Sequence, residues 1–549
     1  MKRTHLAIGC LALGATAFWA FRGPGDRYFE IAKNLDIFTT LFKEVNLYYV
    51  DEVDPAKLVS TGIEGMLETL DPYTTYIPEE EMETFSIQTT GEYAGIGALI
   101  GVVNKKTVVT NPYLGFPAQR AGIRVGDEFL TIDGKNVQGK PTQEISTLLK
   151  GKPQTSVEVV LKRAGTKEPL RFTLARERIK VKNVVYAGLI DTQTGYIKID
   201  DFTPGAGKEV ESVVQSLKQQ GAKSIVLDLR DNPGGLLNEA VNIANVFLPK
   251  GKEIVSTKGK VTDWNKTYKT LNNPTDTEIP LAVLVSGNSA SASEIVAGAI
   301  QDYDRGLLIG QRTFGKGLVQ TTRDLAYNAQ LKVTTAKYYI PSGRCIQALD
   351  YTHRNADGSV DKMADSLKTA FRTKGGRTVY DGGGLDPDIQ VKSDDFAPIT
   401  VELVRQGWFF EYATHYCGQK QPPASFSKFQ LSDADYADFV AWMKNQPFTY
   451  ETEMEKHTEK LVATAQADQL YPELKESLQQ LQNKVQANRK DHWVRFKPEI
   501  LEQLEKEIAF HYHLQAGQTE VAIQRDPEIG TARVVLSQSA MYQKLLTPQ

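Results

Sequence analysis

The stretch LAVLVSGNSASASEIVAGAI, residues 281–300, decides the fold class of this chain. It opens with a short apolar run and closes with an apolar-periodic run, which is typical of a strand followed by a helix. Further strand-like runs lie on both sides of it, at GYIKID (195–200), SIVLDLR (224–230) and GLLIGQ (306–311). Helical stretches separate these runs. Strands that alternate with helices predict an α/β core built on a largely parallel sheet.

Around this core the sequence changes character, which divides the chain into regions. The part before the core begins with a helical pattern and continues with short β-branched runs between turn residues, as expected for a small all-β module. The part after the core consists mostly of long charged helical patterns, for example over 452–485 and 497–514. The predicted regions are a leader (1–25), an N-terminal helical region (26–88), the β-module (89–180), the α/β core (181–395) and a mainly helical C-terminal region of unknown role (396–549).

The leader indicates where the protein is delivered. Lys2 and Arg3 precede an apolar run over 6–21, the pattern of a secretory signal peptide or a short membrane anchor. Ala15-Thr16-Ala17 offers a cleavage site, but the apolar run continues past it, so cleavage stays open. Both outcomes predict a periplasmic or extracytoplasmic protein, and an uncleaved leader would anchor it to the inner membrane.

Composition and residue counts exclude several classes of function. The 549 residues include 64 basic and 67 acidic side chains and no basic block, so nucleic acid is not an expected partner. The three cysteines are too few for a disulfide framework or a zinc site, and pairing of Cys345 with Cys417 stays open. His511 and His513 form a close pair, but on a polar helix such a pair is usually a solvated face. The sequence predicts no metal and no organic cofactor.

The β-module contains a glycine pattern that can hold the end of a peptide. Gly95-Ile96-Gly97-Ala98 stands at the start of a strand, where backbone N–H groups free of side-chain crowding can converge on a carboxylate. The edge of the following strand can accept a peptide as an added strand. Gly126-Asp127 and Ile132-Asp133-Gly134 follow, each of them only a turn when taken singly. In this order the segments resemble the PDZ-domain pattern.

Serines crowd the turn between the strand and the helix of the 281–300 stretch. Ser291 stands directly before the helix, where its hydroxyl would be exposed at the carboxyl edge of the sheet and where backbone N–H groups could stabilise an oxyanion. Ser291 with Glu294 is also a capping box, a purely structural alternative. Ser289 and Ser293 are the alternative nucleophiles. No G-x-S-x-G elbow surrounds these serines, and the histidines fall outside the core motifs, so a Ser-His-Asp triad is poorly supported.

Lys316, between Gly315 and Gly317, is the candidate base. A lysine acts as a base only when its amine is neutral, and desolvation on burial lowers the pKa of lysine. Gln320 can accept a hydrogen bond from the amine without adding charge, and Ser-Lys pairs are a known variant of the catalytic triad. A solvated loop lysine is the alternative. Residues 310–316 also fit the start of a phosphate loop, but Gly317 replaces the magnesium-binding Ser or Thr, so nucleotide binding is not expected.

A third segment, DLRDNPGG (228–235), ends the strand-like run SIVLDLR. Pro233 with Gly234 and Gly235 makes a tight turn just before a helix, and its backbone N–H groups would point outward, which suits an oxyanion donor. An ordinary turn between a strand and a helix is the alternative, because such turns are common.

Together these segments resemble the carboxyl-terminal processing peptidases, also called tail-specific proteases. The resemblance covers about residues 30–395 and implies a crotonase-like or ClpP-like α/β core with the nucleophile at a helix N-terminus. It implies Ser291 as nucleophile, Lys316 as general base and Gln320 as the residue that orients the lysine. It also implies that Gly234 or Gly235 and the N–H of Ala292 line the oxyanion hole. The motifs, in family order, are GYIKI (195–199), DLRDNPGG (228–235), SASASEI (289–295), GKGLVQ (315–320), PSGRCIQ (341–347) and GLDPDI (384–389).

The first hypothesis is therefore a serine endopeptidase that cleaves extracytoplasmic proteins near their C-termini. Proteins or peptides with free C-termini are the expected partners, and the PDZ-like module would bind their tails. The second hypothesis is a non-catalytic PDZ adaptor on a degenerate protease core, and the joint presence of Ser291, Lys316 and Gln320 argues against it. The amphipathic C-terminal helices allow packing on the core or against another subunit. The physiological substrate and the effect of the PDZ-like module on activity stay open.

Overall fold

The computed structural model describes residues 24–351, 353–355, 358–392 and 396–548. The apolar run of the leader lies outside the described residues, and so do the signal-peptide and anchor predictions that depend on it. Within the described ranges, no helix combines the length and the apolar character that crossing a membrane requires. The chain divides into two compact units, one up to Tyr76 and one from Ile77 onward.

The first unit contains two helices, as its apolar periodicity predicts. Helix α1 spans Pro24–Tyr48 and helix α2 spans Pro55–Glu68. Helix α2 begins at a typical N-cap, because the Asp54 carboxylate accepts hydrogen bonds from the backbone N–H groups of Ala56 and Lys57. Strand β1 (Thr75–Ile77) lies where the two units divide.

The second unit begins with a short 3-10 helix (Glu79–Glu81) and helix α3 (Met82–Thr90), and a β-rich module follows. Its strands are β2 (Glu92–Gly95), β3 (Ala98–Val103), β4 (Lys106–Pro112), β5 (Glu128–Ile132), β6 (Lys135–Asn136), β7 (Ser156–Lys162), β8 (Leu170–Ala175) and β9 (Glu177–Lys180). Strand β2 pairs with β9, and the others form an antiparallel sheet in the order β3-β4-β5-β7-β8, with β6 beside β5.

Two helices complete this module, and the period-two alternation of its sequence did not predict them. They are α4 (Pro117–Arg120) and α5 (Thr142–Leu149). Helix α5 buries Ile145 and Leu149 in the core of the module and contacts β3, the last strand of the sheet. The module therefore has a terminal strand that lies beside a helix.

The α/β core is built on a six-stranded sheet with the order β10-β11-β12-β15-β16-β21. Its strands are β10 (Val184–Leu189), β11 (Thr194–Ile199), β12 (Ser224–Asp228), β15 (Leu281–Val285), β16 (Leu307–Gly310) and β21 (Ile389–Gln390). Strand β10 is antiparallel to β11, and the remaining pairs are parallel. Asp228 pairs with Leu284, and Val285 pairs with Gly310, so the carboxyl ends of β12, β15 and β16 lie side by side.

Three helices that connect these strands cover one face of the sheet. They are α6 (Ala206–Gln219), α7 (Leu237–Phe247) and α8 (Ala292–Asp302). Their apolar residues pack with Ile225, Leu227 and Val283 of the sheet. Every residue of α8 is buried, as expected for a helix that is apolar nearly all round.

A second, antiparallel sheet extends the core beside the lysine segment. Its strands β13 (Glu253–Gly259), β14 (Lys266–Lys269), β17 (Leu318–Asp324) and β18 (Gln330–Tyr339) follow the order β17-β18-β13-β14. Strand β17 begins two residues after Lys316, and β18 carries Tyr338. Two short 3-10 helices (Thr262–Trp264, Asp365–Leu367) and a hairpin of β19 (Ala370–Arg372) with β20 (Thr378–Tyr380) complete this region.

The C-terminal region is helical, as predicted, but its helix boundaries differ from those that the charged pattern suggests. They are α9 (Pro398–Arg405), α10 (Trp408–Gln419), α11 (Asp433–Met443), α12 (Glu453–Ala467), α13 (Tyr471–Lys490), α14 (His492–Arg495), α15 (Lys497–Ile523), α16 (Pro527–Ser537) and α17 (Ser539–Leu545). The predicted helix over 452–485 breaks because Gln469 adopts φ +61° and Pro472 starts a new helix. Helix α15 continues past 514 across a kink at His513 and Leu514.

The last helices cover the second face of the central sheet. Ile529, Ala532 and Val535 of α16 pack with Val226 and Leu284 of the sheet. The core is therefore a three-layer α/β/α arrangement in which the outer layer on one side comes from the end of the chain. The predicted fold class, an α/β core with a β-rich module before it and a helical region after it, is confirmed.

Candidate active site

Three loops meet at one edge of the central sheet. They follow β12, β15 and β16, which are adjacent and parallel, so their carboxyl ends share that edge. We call them the glycine turn (229–236), the serine loop (286–291) and the lysine loop (311–317). The topology thus brings the predicted residues Gly234, Ser291 and Lys316 to the same edge.

Ser291 has an unusual backbone conformation. Its φ is +56° and its ψ is -112°, a region that non-glycine residues rarely adopt and that costs about 1–3 kcal/mol. Glu294, in the first turn of α8, stabilises this conformation, because its Oε2 accepts from the Ser291 N–H at 2.9 Å. A serine in a strained turn between a strand and a helix has its hydroxyl presented at the sheet edge, as in nucleophile elbows.

The two neighbouring serines are in a different situation. Ser289 and Ser293 are fully buried, and their hydroxyls donate to the carbonyl oxygens of Leu229 at 2.8 Å and Asn232 at 3.0 Å. Of the three serines, Ser291 is the one whose surface is partly exposed. Ser289 and Ser293 therefore attach the serine loop to the glycine turn, which explains the repeat of serine at every second position.

Gly234 of the glycine turn lies directly against the serine loop. A Cβ at this position would lie 2.7 Å from the backbone nitrogen of Ala292 and 2.9 Å from Ser291 Cβ, and its φ is +95°. Both facts require glycine. The Gly234 N–H donates to Asn232 Oδ1 at 2.8 Å, which closes the turn.

Gly235, which the sequence treats as an alternative to Gly234, has a different environment. It is exposed, and a Cβ there would lie 2.8 Å from the carbonyl oxygen of Phe202. The structure therefore separates the two glycines. Gly234 permits the close approach and uses its N–H within the turn, whereas Gly235 lies at the surface.

The lysine loop is fixed by its backbone, and the Lys316 side chain is partly buried. The Lys316 N–H donates to Glu294 Oε2 at 2.9 Å. On either side, glycines are packed tightly, since a Cβ at Gly315 would lie 2.5 Å from Ala348 Cβ and one at Gly317 would lie 2.8 Å from the backbone nitrogen of Gln347. A strand, β17, follows this loop where a phosphate loop would need a helix.

Gln320 and Tyr338 lie next to the lysine loop on the antiparallel sheet. The Gln320 amide nitrogen donates to Thr334 Oγ1 at 3.1 Å, which orients the amide group. The Tyr338 hydroxyl lies 2.6 Å from the Lys316 carbonyl oxygen and 3.2 Å from that of Ser291. Tyr338 therefore joins the backbones of the two predicted catalytic residues, a role that no sequence pattern signals.

Glu294 joins the serine and lysine loops from within. Its carboxylate is fully buried and accepts from four donors: Oε2 takes the N–H groups of Ser291 and Lys316, and Oε1 takes the N–H of Gly315 at 2.8 Å and the Thr313 hydroxyl. Burial raises the pKa of Glu294, and the accepted hydrogen bonds act in the opposite direction, with a net upward shift. The capping-box spacing marked this residue, but not its bonds to the lysine loop.

The predicted peptide loop of the β-rich module lies between β2 and the terminal strand β3. Gly97 has φ +75°, and a Cβ there would lie 2.4 Å from Phe116 Cβ. The carbonyl oxygens of Ile96 and Gly97 accept from the backbone N–H groups of Ala118 and Tyr113, each at 2.9 Å. The Ile96 side chain is buried in the core, so only its backbone can face a ligand. Gly95 and Gly97 are buried as well, and Ala98 is partly exposed.

The cysteines and His511 form no part of these loops. Cys345 and Cys417 are free thiols. Burial lowers the pKa of His511 to about 4, and this ring contacts the Thr414 hydroxyl at 2.9 Å in the C-terminal region. In the described ranges, no group of three or more His, Cys, Asp or Glu side chains is placed to hold a metal ion.

Comparison with known sequence families assigns all three parts of the second unit. "Peptidase family S41" matches residues 193–352, "PDZ domain" matches 108–163, and "Probable PDZ-protease, C-terminal helical domain" matches 399–536. The first match contains the three loops, and the second contains most of the β-rich module.

Individual proteins are also similar to this chain. The chain is 39% identical over 325 residues to the carboxy-terminal-processing protease of Bartonella bacilliformis, covering 58% of this chain and 74% of that protein. It is 38% identical over 316 residues to a "Probable CtpA-like serine protease" of Staphylococcus aureus, covering 57% and 62%. A solved structure, the photosystem II D1 C-terminal processing protease, is 29% identical with a TM-score of 0.35, covering 65% of this chain and 92% of that one.

The matched families define the protein as a serine-type peptidase with a PDZ domain. The Bartonella carboxy-terminal-processing protease is similar to this chain over most of its own length, which narrows the class of peptidase. The chain belongs to the carboxy-terminal-processing proteases of peptidase family S41.

Proposed function

We propose that this protein is a Ser-Lys endopeptidase that cleaves extracytoplasmic proteins near their C-termini. Ser291 is the nucleophile, Lys316 the general base and Gln320 the residue that orients the lysine. One observation carries the assignment: of the serines at 289, 291 and 293, Ser291 is the partly exposed one, and the buried carboxylate of Glu294 accepts from its backbone N–H and from that of Lys316.

The reaction proceeds through an acyl-enzyme. The Ser291 hydroxyl oxygen attacks the scissile carbonyl carbon while its proton passes to the neutral Lys316 amine, and the C–N bond then breaks as the lysine gives this proton to the leaving amine. A water molecule, deprotonated by the same amine, attacks the ester carbonyl, and the proton returns to the Ser291 oxygen. Every proton is supplied and recovered by these two groups.

The oxyanion is stabilised by backbone N–H groups. The Ala292 N–H is suited to this role because it lies at the start of α8, directly after the nucleophile, where the helix dipole favours negative charge. The Gly235 N–H is the second donor, since the Gly234 N–H is used by Asn232. Gly234 contributes by allowing the turn to approach Ser291.

Gln320 completes the site by accepting from the lysine amine. Its amide nitrogen donates to Thr334 Oγ1 at 3.1 Å, which leaves the amide oxygen available to accept from an amine. A neutral acceptor orients the amine without the charge that would keep it protonated. Glu294 accepts from the Lys316 backbone N–H and so fixes the loop that carries the amine.

The PDZ module supplies the preference for C-termini. A free carboxylate binds the N–H groups of the loop Gly95–Ala98, and the tail adds to the terminal strand β3 beside α5. The apolar leader delivers the protein to the periplasm or an equivalent space, and it anchors the protein to the inner membrane where it is not cleaved.

The test uses one peptide that ends in small apolar residues, in free-acid and C-terminally amidated forms. We expect wild-type protein to cleave the free acid faster, with a rate that rises through one ionisation below the ordinary lysine value of about 10.4. Lys316→Ala should be inactive throughout the pH range. Equal cleavage of both forms would contradict tail recognition, and a pH-independent rate would contradict the lysine base.

A further inference from the structure

The C-terminal helices extend to the edge of the central sheet where the three loops lie, and one arginine contacts them there. Arg230 lies in the glycine turn, in the middle of the segment Asp228–Gly235. Its Nη1 lies 2.7 Å from Asp526 Oδ2 and 3.1 Å from Glu528 Oε2, at the start of α16. On its other side, Nη2 lies 2.6 Å from Asp228 Oδ2. Arg230 therefore connects the turn to a segment almost 300 residues further along the chain.

This cluster is removed from water. The side chains of Arg230, Asp526 and Glu528 are 15%, 14% and 11% exposed, and that of Asp228 is fully buried. Burial alone would raise the pKa of Asp228, but Arg230 outweighs it and the pKa lies below the ordinary value. A buried arginine that loses one of its partners keeps its charge and loses its compensation, so the surrounding turn must rearrange.

Contacts continue from Arg230 to the nucleophile. The Arg230 N–H donates to Asp228 Oδ1 at 2.9 Å, which fixes the start of the turn. The next residues of the turn hold the serine loop, since Asn232 accepts from the Ala290 N–H at 3.1 Å. Gly234 then lies against Ser291. The carboxylates of α16 thus act on one end of a short turn whose other end touches the proposed nucleophile.

We infer that the C-terminal helical region is a working part of the active site, with Asp526 and Glu528 as positioning residues that act through Arg230. They hold the guanidinium from the side opposite to Asp228 and so set the distance between the glycine turn and Ser291. This inference rests on the proposed function, because it requires that the turn borders the reaction centre. It gives the region that follows the protease core a catalytic role in addition to its packing role.

The test compares two sets of variants in the full chain. Asp526→Asn and Glu528→Gln, singly and together, keep the shape of both side chains, and asparagine remains a good N-cap for α16. The matched control is Arg533→Gln. Arg533 belongs to the same helix and lies 2.9 Å from Asp191, at the amino end of β11 and away from the catalytic loops. Each variant is assayed for kcat, KM and the midpoint of urea unfolding.

We expect the double variant to lose about tenfold in kcat with KM within about twofold, a size typical of coupling between a distant group and a site. Arg533→Gln should keep its kcat and lose less stability than the double variant, because the Arg533 side chain is 45% exposed. Arg230→Lys should lose a similar factor, and adding it to the double variant should cost little more, because all three residues act as one unit.

Two results would overturn the inference. Either the double variant keeps the wild-type kcat although its unfolding midpoint falls, or its kcat falls only as far as that of the control. Failure of the proposed function looks different, since wild-type protein itself would then not cleave the peptide.

Discussion

The serine loop and the PDZ loop Gly95–Ala98 are both proposed to offer backbone N–H groups to an incoming chain, but different contacts hold the two loops in place. The serine loop is held by a buried carboxylate that accepts from the backbones of Ser291 and Lys316. The PDZ loop is held by backbone hydrogen bonds to Tyr113 and Ala118 and by the close approach of Gly97 to Phe116. Chemistry requires atoms fixed within fractions of an ångström, whereas binding requires an edge and space beside it.

The strongest test of this difference lies within the serine loop itself. Ser291→Ala should lower turnover by at least about 10³-fold, because it removes the nucleophile. Ser289→Ala and Ser293→Ala should lower turnover far less, by about tenfold at most, and lose about 0.5–1.5 kcal/mol of stability, since each removes one hydrogen bond to a buried carbonyl oxygen that keeps a second donor. The measurements are peptide turnover and urea unfolding. Wild-type turnover in Ser291→Ala protein free of contaminating protease would identify a different nucleophile.

The second-largest effect is expected for the buried carboxylate of Glu294. Glu294→Gln should lower kcat by about 10²-fold, because an amide nitrogen replaces one of the two acceptor oxygens and faces N–H donors. Glu455→Gln is a matched control, since Glu455 is a buried capping-box glutamate that accepts from the Thr452 N–H at 2.7 Å in the C-terminal region. An equal loss in both variants would show a general effect on helix stability.

Glu294 also predicts a pH dependence. Because the net pKa of this carboxyl is raised above its ordinary value of 4.5, protonation begins at a higher pH than for an exposed glutamate. Each protonated carboxyl has one acceptor fewer for the two loops. Protonation of Lys316 already lowers kcat as the pH falls, and we expect this fall to become steeper through a second group with a pKa above 4.5, a steepening that Glu294→Gln should lack. If the acid side of the kcat profile has the same shape in Glu294→Gln, another group is responsible for that shape.

The PDZ loop should bind a peptide tail less tightly when a side chain is added to one of its glycines. Gly97→Ala places a Cβ 2.4 Å from Phe116 Cβ, and we expect the affinity for a peptide tail to fall by about tenfold. Gly134 has nearly the same φ, +74°, but nothing lies within 4 Å of its Cβ position, so Gly134→Ala is the control for backbone strain alone. Titration of both variants with a fluorescent tail peptide measures the difference, which should vanish if the loop does not bind the tail.

The smallest effect concerns the attachment of the PDZ module to the C-terminal region. Lys106 Nζ lies 3.3 Å from Glu411 Oε1, with 48% of the lysine side chain exposed. Lys106→Ala should change the free energy of unfolding by less than about 1 kcal/mol, as for most surface ion pairs. A larger loss, measured by urea unfolding, would show that this pair rather than close packing, such as that of Gly126 on Thr414, holds the module.

Local sequence patterns were sufficient to predict the strands and helices of the α/β core. Strand and helix periodicity around 281–300 predicted the parallel sheet, because its strands are short apolar runs joined by single helices. The spacing of the motifs placed Ser291 and Lys316 after adjacent strands. Pro472 marks the break near Gln469 in the sequence, although the charged pattern around it continues. The predicted pattern ends at Leu514, and the sequence did not show that the helix continues beyond the kink there.

Contacts between distant parts of the chain could not be predicted from one sequence. Nothing near Arg230 indicates that Asp526 and Glu528 will be its partners, because sheet topology and the path of the C-terminal helices bring them together. Tyr338 stands in an ordinary strand pattern, yet its hydroxyl lies between the two loops. Glu294 carried a signal through its capping-box spacing, but the same spacing occurs at helix starts with no catalytic role.

The central claim, that Ser291 is the nucleophile and Lys316 its base, is tested most directly by covalent labelling. Full-length protein is treated with a fluorophosphonate, digested and mapped by mass spectrometry. We expect one adduct, on Ser291. It should be lost in Lys316→Arg, because arginine keeps the positive charge but cannot accept a proton. An adduct on Ser289 or Ser293, or labelling of Ser291 that is undiminished in Lys316→Arg, would contradict the claim.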